Sequence, residues 1–357
     1  MLKWFILFIC LILTQVSEVK GQNGGFNSIG INVYPGYLVG HRDDAKNLEA
    51  HIMGYEISLI QKNITSTWAG LYSRPEIGCG LMFMNLGQPQ LTGNIFAIMP
   101  SITTTIGHLG KTDIRFKAGS GMGYITKKFD AYTNRRNQAI GSHFNGAMQL
   151  FILLERLPST GGAFNGGIGI THFSNGSIRV PNLGVNMPSL FFGYSLASTN
   201  RRSIHTIDTF EFRKWQTSFA YAFKERTLTS PKGFNIFNAE IVHLTRRSMK
   251  SDWRQGIDIY TDKTHHYLDY PEESLKGLNP LEMTEVGIFV GHQWLLSKVH
   301  FKVDVGAYLY KPSKNKFITY QRMGFNYHFH RHYYAMVNLK THFGIADHFT
   351  WGIGYRL

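Results

Sequence analysis

A histidine, two serines and three asparagines lie close together in Thr171-His172-Phe173-Ser174-Asn175-Gly176-Ser177-Ile178-Arg179-Val180-Pro181-Asn182-Leu183-Gly184-Val185-Asn186. A serine hydroxyl is too weak a nucleophile to attack an ester unaided, and an adjacent base corrects this. His172 stands two residues before Ser174. In a strand, residues two apart point the same way and sit roughly 6.6 Å apart along the chain. An imidazole can reach across that gap to a hydroxyl. The chemistry on offer is acyl transfer by a serine–histidine pair. The bland alternative is two polar residues near a strand end.

The element that must position the pair is a strand, and its two faces differ. Ile168, Ile170, His172 and Ser174 share one face, and Gly167, Gly169, Thr171 and Phe173 the other. After a turn-rich connection, Asn186, Leu190, Phe192 and Tyr194 have one parity, which Pro188 could break at Asn186. His172, Ser174 and Asn186 therefore fall on the more apolar faces of two strands. In a soluble protein such a face is the core; in a membrane barrel it meets lipid.

Composition chooses between these. The chain has 357 residues, 37 glycines, 14% aromatic and only 17% charged residues. After the first residues no apolar run is long enough for a membrane-spanning helix. Low charge with many aromatics and glycines fits a transmembrane β-barrel. Residues 1–21 read as a signal peptide: Lys3 gives a positive start, Trp4 to Leu13 is apolar, and a polar stretch follows. With Cys10 inside that segment, Cys79 is left alone and no intramolecular disulfide can form. The net charge of +14 includes the pairs Lys127-Lys128, Arg135-Arg136, Arg201-Arg202 and Arg246-Arg247, scattered over loops and strand ends. In a secreted chain these point to lipid headgroups and phosphates and away from nucleic acid, with solvated loop charge the equal alternative for any one pair.

Alternation runs through the chain. In Thr112 to Ile125, the residues Ile114, Phe116, Ala118, Met122 and Tyr124 oppose Asp113, Arg115, Lys117 and three glycines. Apolar outward with charged or small inward is the wall pattern of a membrane barrel. It recurs to the last residue, where Phe349, Trp351, Ile353, Tyr355 and Leu357 share one face. That ending is similar to the C-terminal strand signal of outer-membrane barrels, with Leu in place of the frequent Phe. The expected fold is all-β: one antiparallel transmembrane barrel of the outer-membrane type over residues 22–357, with about 14 strands in a range of roughly 12–16. A secreted β-sandwich is the soluble alternative. His328, His330 and His332 are spaced to share a face, but their apparent turn and the lack of a nearby cysteine speak against a metal site; no metal is expected.

The site stretch resembles the outer-membrane lipid A 3-O-deacylase family, also called acyloxyacyl hydrolases. The resemblance rests on His172-x-Ser174-Asn175 and on Pro181-Asn182-x-Gly184 at matching spacing. It implies Ser174 as nucleophile, His172 as general base, and Asn182 with a backbone N–H near Ser177 as the oxyanion site. Asn175 belongs to the motif too, although Asn-Gly is also an ordinary turn dipeptide. The family's barrels have eight strands, so a chain this long carries extra wall. The family's acidic third member falls on position 186, where this chain has Asn. Outer-membrane phospholipase A has a similar His-x-Ser-Asn-Gly stretch with Asn as third member, and it is a calcium-dependent dimer. The expected function is an outer-membrane serine esterase of a Gram-negative bacterium that removes an acyl chain from lipid A with a His172–Ser174–Asn186 triad and no cofactor. The alternatives are a phospholipase A, which would bring calcium and a homodimer, and a non-enzymatic pore or structural barrel.

Overall fold

The computed structural model describes residues 26–357 except 41, 63, 65, 74, 157–160, 197–213, 226–232, 263, 265–278 and 313–316. The signal segment, the Arg201-Arg202 pair and residues 265–278 lie outside these. The described chain is built on sixteen antiparallel strands. The first eight are β1 (Ser28–Leu38), β2 (Ala50–Gln61), β3 (Glu76–Asn85), β4 (Asn94–Leu109), β5 (Thr112–Ile125), β6 (Phe144–Arg156), β7 (Ala163–Ser174) and β8 (Val185–Ser195). They close through the β1–β8 seam, where Gly30 faces Ser195 and Val33 faces Phe192. The second eight are β9 (Trp215–Glu225), β10 (Gly233–Ser248), β11 (Ser251–Thr261), β12 (Thr284–Leu296), β13 (Val299–Tyr310), β14 (Thr319–Tyr327), β15 (Tyr333–His342) and β16 (Ile345–Arg356). These close through β9–β16, with Trp351 facing Tyr221.

The wall is thus two closed barrels of eight strands, where the sequence reading expects one barrel of about 14. Period-two alternation marks each strand but carries no information on which strand closes on which. The extra length beyond the family's eight strands is a second barrel. The chain divides accordingly into two compact units, with residues 176–180 counted in the second.

Strand faces follow the sequence pattern. On β2, Ile57 is 59% exposed and its neighbours Glu56 and Ser58 are buried. An apolar outer face and a polar lumen are what a bilayer requires of a barrel. An eight-stranded barrel is just wide enough for side chains to fill its interior, and both lumens are filled. In the first, Tyr34 packs edge-on against Phe151 and Phe191 at ring centroid distances of 5.5 and 5.2 Å. Beside them Lys117 pairs with Glu56 at 3.0 Å, and Arg115 with Glu155 at 2.7 Å. Gly123 has no side chain because the Phe173 ring occupies its place, 2.5 Å from where a Cβ would sit. Phe173 in turn seats the lumen side of the strand whose outer side carries His172.

The second lumen is ionic. Glu240 lies 2.9 Å from Arg322 and 3.5 Å from Lys302, and Arg322 also reaches Asp258 and Asp304 at 3.0 Å each. All five side chains are buried. Removing one member of a buried ionic cluster leaves its partners' charges uncompensated. Glu240→Ala should therefore destabilise the second barrel by about 3 kcal/mol or more. Urea unfolding of the refolded protein, followed by tryptophan fluorescence, measures this; an unchanged midpoint would contradict the electrostatic account of the lumen.

Candidate active site

The register of β7 against β8 builds the site. His172 lies directly opposite Asn186 in this ladder, Ile170 opposite Pro188 and Ile168 opposite Leu190. Directly opposed residues point to the same side of a sheet and are close enough for their side chains to touch. That side is the outer one, since Ile168, Leu190 and Phe192 are exposed while Thr171, Phe173, Val185 and Met187 are buried. Pro188 leaves the parity intact. His172 and Asn186 thus face lipid together, as their parity in the sequence indicates.

They are joined by a hydrogen bond, His172 Nδ1 to Asn186 Oδ1 at 2.7 Å. An amide oxygen only accepts, so Nδ1 carries the proton and Nε2 keeps its lone pair. This is the tautomer a general base needs. Ser174, on the same face, ends β7 and is almost fully buried. Its partner across the ladder is Gly146, which puts no side chain beside it.

Gly184 explains part of the motif. Its φ is +79°, which glycine adopts freely, and a Cβ there would lie 2.7 Å from His172 Cε1. Gly184 therefore gives the imidazole room. Its N–H donates to Ala139 O at 2.9 Å, fixing the β7–β8 connection against the β5–β6 connection. Asn175 is held from two sides: its N–H donates to Asn182 Oδ1 at 2.9 Å, and its Nδ2 donates to Ser142 Oγ at 2.9 Å. The oxygen of Asn182 being engaged, its amide nitrogen is the end left over. That nitrogen is buried and meets no acceptor among the described residues. A buried donor without a partner is costly, and a site that stabilises developing negative charge supplies such a donor.

The β5–β6 connection has its own bracing. The N–H groups of Thr133 and Tyr132 donate to Asp130 and hold its carboxyl below the usual range. Ser142 and Ala139, which anchor Asn175 and Gly184, carry no signal in the sequence, because their partners come from another connection. Ser177 has a positive φ of 63° and donates from Oγ to Ala346 O at 3.3 Å, within the second unit. The structure thus brings His172 to Asn186 and Asn175 to Asn182, and groups Ser177 elsewhere.

Residues 53–195 match the family model "Lipid A 3-O-deacylase (PagL)", and residues 213–357 match "Acyloxyacyl hydrolase, C-terminal domain". Both halves of the chain thus match models of the lipid A 3-O-deacylase (acyloxyacyl hydrolase) family. The chain is an outer-membrane β-barrel protein. The two family models fall on the two barrels, with β1 outside the first match. Among solved structures it is similar to the outer-membrane enzyme PagL at 18% identity, over 46% of this chain and 97% of that one, with a TM-score of 0.33. It is also similar to a porin of Rhodopseudomonas blastica at 10% identity, over 92% and 99% of the two chains, with a TM-score of 0.18. No curated protein matches.

The second barrel repeats part of the deacylase motif but not the site. Thr341-His342-Phe343 copies Thr171-His172-Phe173, and Gly344 follows where a serine stands in the first. His342 shares the lumen face with Asn338 and Lys340, and its Nε2 bonds to Tyr308 Oη at 2.9 Å. The three histidines near the β14–β15 turn do not form a ligand set. His328 is buried against His300, while His330 is exposed. The cluster Asp262, Asp347 and His348 is geometrically compact, but Lys224 already bonds both carboxylates.

Gly184→Ala offers a test of how the imidazole is seated. The added methyl must displace the ring edge, so ester hydrolysis should fall by roughly tenfold or more, as expected when a catalytic group is misplaced by about 1 Å. The barrel should still assemble, with unchanged heat-modifiable gel mobility. Full activity in Gly184→Ala would show that the ring is not held where the structure has it.

Proposed function

We propose that the first barrel removes an ester-linked acyl chain from lipid A, with Ser174 as nucleophile, His172 as general base and Asn186 as the residue that orients the base. The observation that carries this reading is the cross-strand bond from His172 to Asn186 on the lipid-facing side. The acyl chains of lipid A already lie in the bilayer, so a site on the lipid-facing side, with His172 and Asn186 half-buried there and Ser174 beneath the surface at the strand end, takes its substrate without extracting it from the membrane.

The proposed steps are these. Nε2 of His172 takes the proton of Ser174 Oγ as the oxygen attacks the ester carbonyl. The carbonyl π electrons move to oxygen, and Asn182 Nδ2 donates to that oxyanion. As the oxyanion re-forms the carbonyl and the C–O bond to the sugar breaks, the imidazolium protonates the departing oxygen, which leaves as the sugar hydroxyl, and an acyl-serine remains. Water, deprotonated by the same nitrogen, releases the fatty acid and restores Ser174. Asn186 keeps the ring in the productive tautomer, although an amide cannot add the charge stabilisation of a carboxylate. The site lies at the end of the barrel that carries the 126–143 and 175–184 connections, away from where β1 begins. In barrels of this type the longer loops are extracellular, and lipid A occupies that leaflet.

The asparagine at 186 also fits the phospholipase reading, and calcium separates the two. Mass spectrometry of lipid A treated with purified protein should show loss of one acyl chain, unaffected by a calcium chelator. Ser174→Ala should abolish the loss while still folding into a heat-modifiable barrel. Deacylation by the purified Ser174→Ala protein would remove Ser174 as nucleophile. A strict calcium requirement with phospholipid preferred over lipid A would favour a phospholipase.

A further inference from the structure

The short-turn end of the second barrel is strongly basic. The β10–β11, β12–β13 and β14–β15 turns and the start of β9 place Lys214, Arg247, Lys250, Lys298 and Arg331 at one end, all exposed. Among the described residues of these turns and the strand ends beside them the single carboxylate side chain is Asp252 of β11, which is buried and ion-paired with Arg246 Nε at 2.6 Å. A belt of aromatics sits at the same level. Trp215 and Trp253 are exposed, Arg247 lies 5.6 Å over the Trp253 ring, and Trp294 stacks on Phe301 at 5.5 Å. Tryptophan and tyrosine belts mark the headgroup level of a bilayer.

We infer that this rim binds the headgroups of anionic phospholipids. The short turns of an outer-membrane barrel face the periplasm, so the lipid at this rim is the phospholipid of the inner leaflet. Exposed lysines and arginines just beyond an aromatic belt are placed at phosphate depth. Their charge favours a headgroup with net negative charge over a zwitterionic one. The tryptophans fix the depth, and the cations add the selectivity.

The test is native mass spectrometry of the full-length refolded protein in detergent, titrated separately with phosphatidylglycerol and with phosphatidylcholine of the same acyl chains. The wild type should retain phosphatidylglycerol at least about tenfold more strongly. A variant combining Arg247→Gln, Lys250→Gln, Lys298→Gln and Arg331→Gln should lose that preference while keeping its phosphatidylcholine binding. Gel mobility before and after heating confirms that it folds. Equal retention of the two lipids by the wild type, or a preference that survives in the variant, would overturn the inference. Should the fourfold variant not assemble, Arg247→Gln with Lys298→Gln is read in the same way, and half or more of the preference should disappear.

Discussion

One hydrogen bond between neighbouring strands, His172 Nδ1 to Asn186 Oδ1, is what the rest of the site depends on. It sets the tautomer of His172, and it exists only because β7 and β8 are in the register that opposes these two residues. A slip of one residue would turn every side chain of a strand to the other face. Register here is held by the contrast between a filled lumen and a lipid-facing wall. Phe173 and Val185, buried beside His172 and Asn186 in sequence, anchor the inner side. The His172–Asn186 pairing is thus a product of barrel packing more than of any local motif.

The two barrels fill their lumens by different means. The first uses rings and methionines at the site end, with ion pairs such as Arg115–Glu155 beyond them. The second uses a network of buried ions around Glu240 and Arg322. Either solution leaves side chains where an open channel would need water. The apolar packing beneath His172 suits a site that must hold a ring to within a fraction of an ångström. In the second barrel the copied Thr-His-Phe tripeptide falls on a strand whose register shifts between Lys340 and Thr341, and its histidine faces Tyr308 in the lumen.

Much of this was legible in the sequence because alternation is local. The bounds of β5 agree with the Thr112-to-Ile125 reading, and the outward face of His172 follows from counting residues. Closure was not legible. The strand that completes the first barrel, β1, lies more than a hundred residues before its partner β8, and nothing in either strand names the other. The two barrels share no repeat of fixed period, so their common eight-strand plan left no trace beyond the Thr-His-Phe tripeptide. Within the site, the motif glycine at 184 was visible, but its reason, a Cβ meeting the imidazole, needed coordinates. Ser142 and Ala139 were invisible, since each acts through a bond to a distant connection.

In the proposed triad an asparagine serves as third member by orienting His172. The most direct test compares the rate of fatty-acid release from lipid A by the wild type with the rates of Asn186→Ala and Asn186→Asp, each shown to be folded. If Asn186 holds the ring, the alanine variant loses roughly 10- to 1000-fold. The aspartate variant keeps or exceeds wild-type activity, because a carboxylate also stabilises the imidazolium. An alanine variant as active as the wild type would contradict the account.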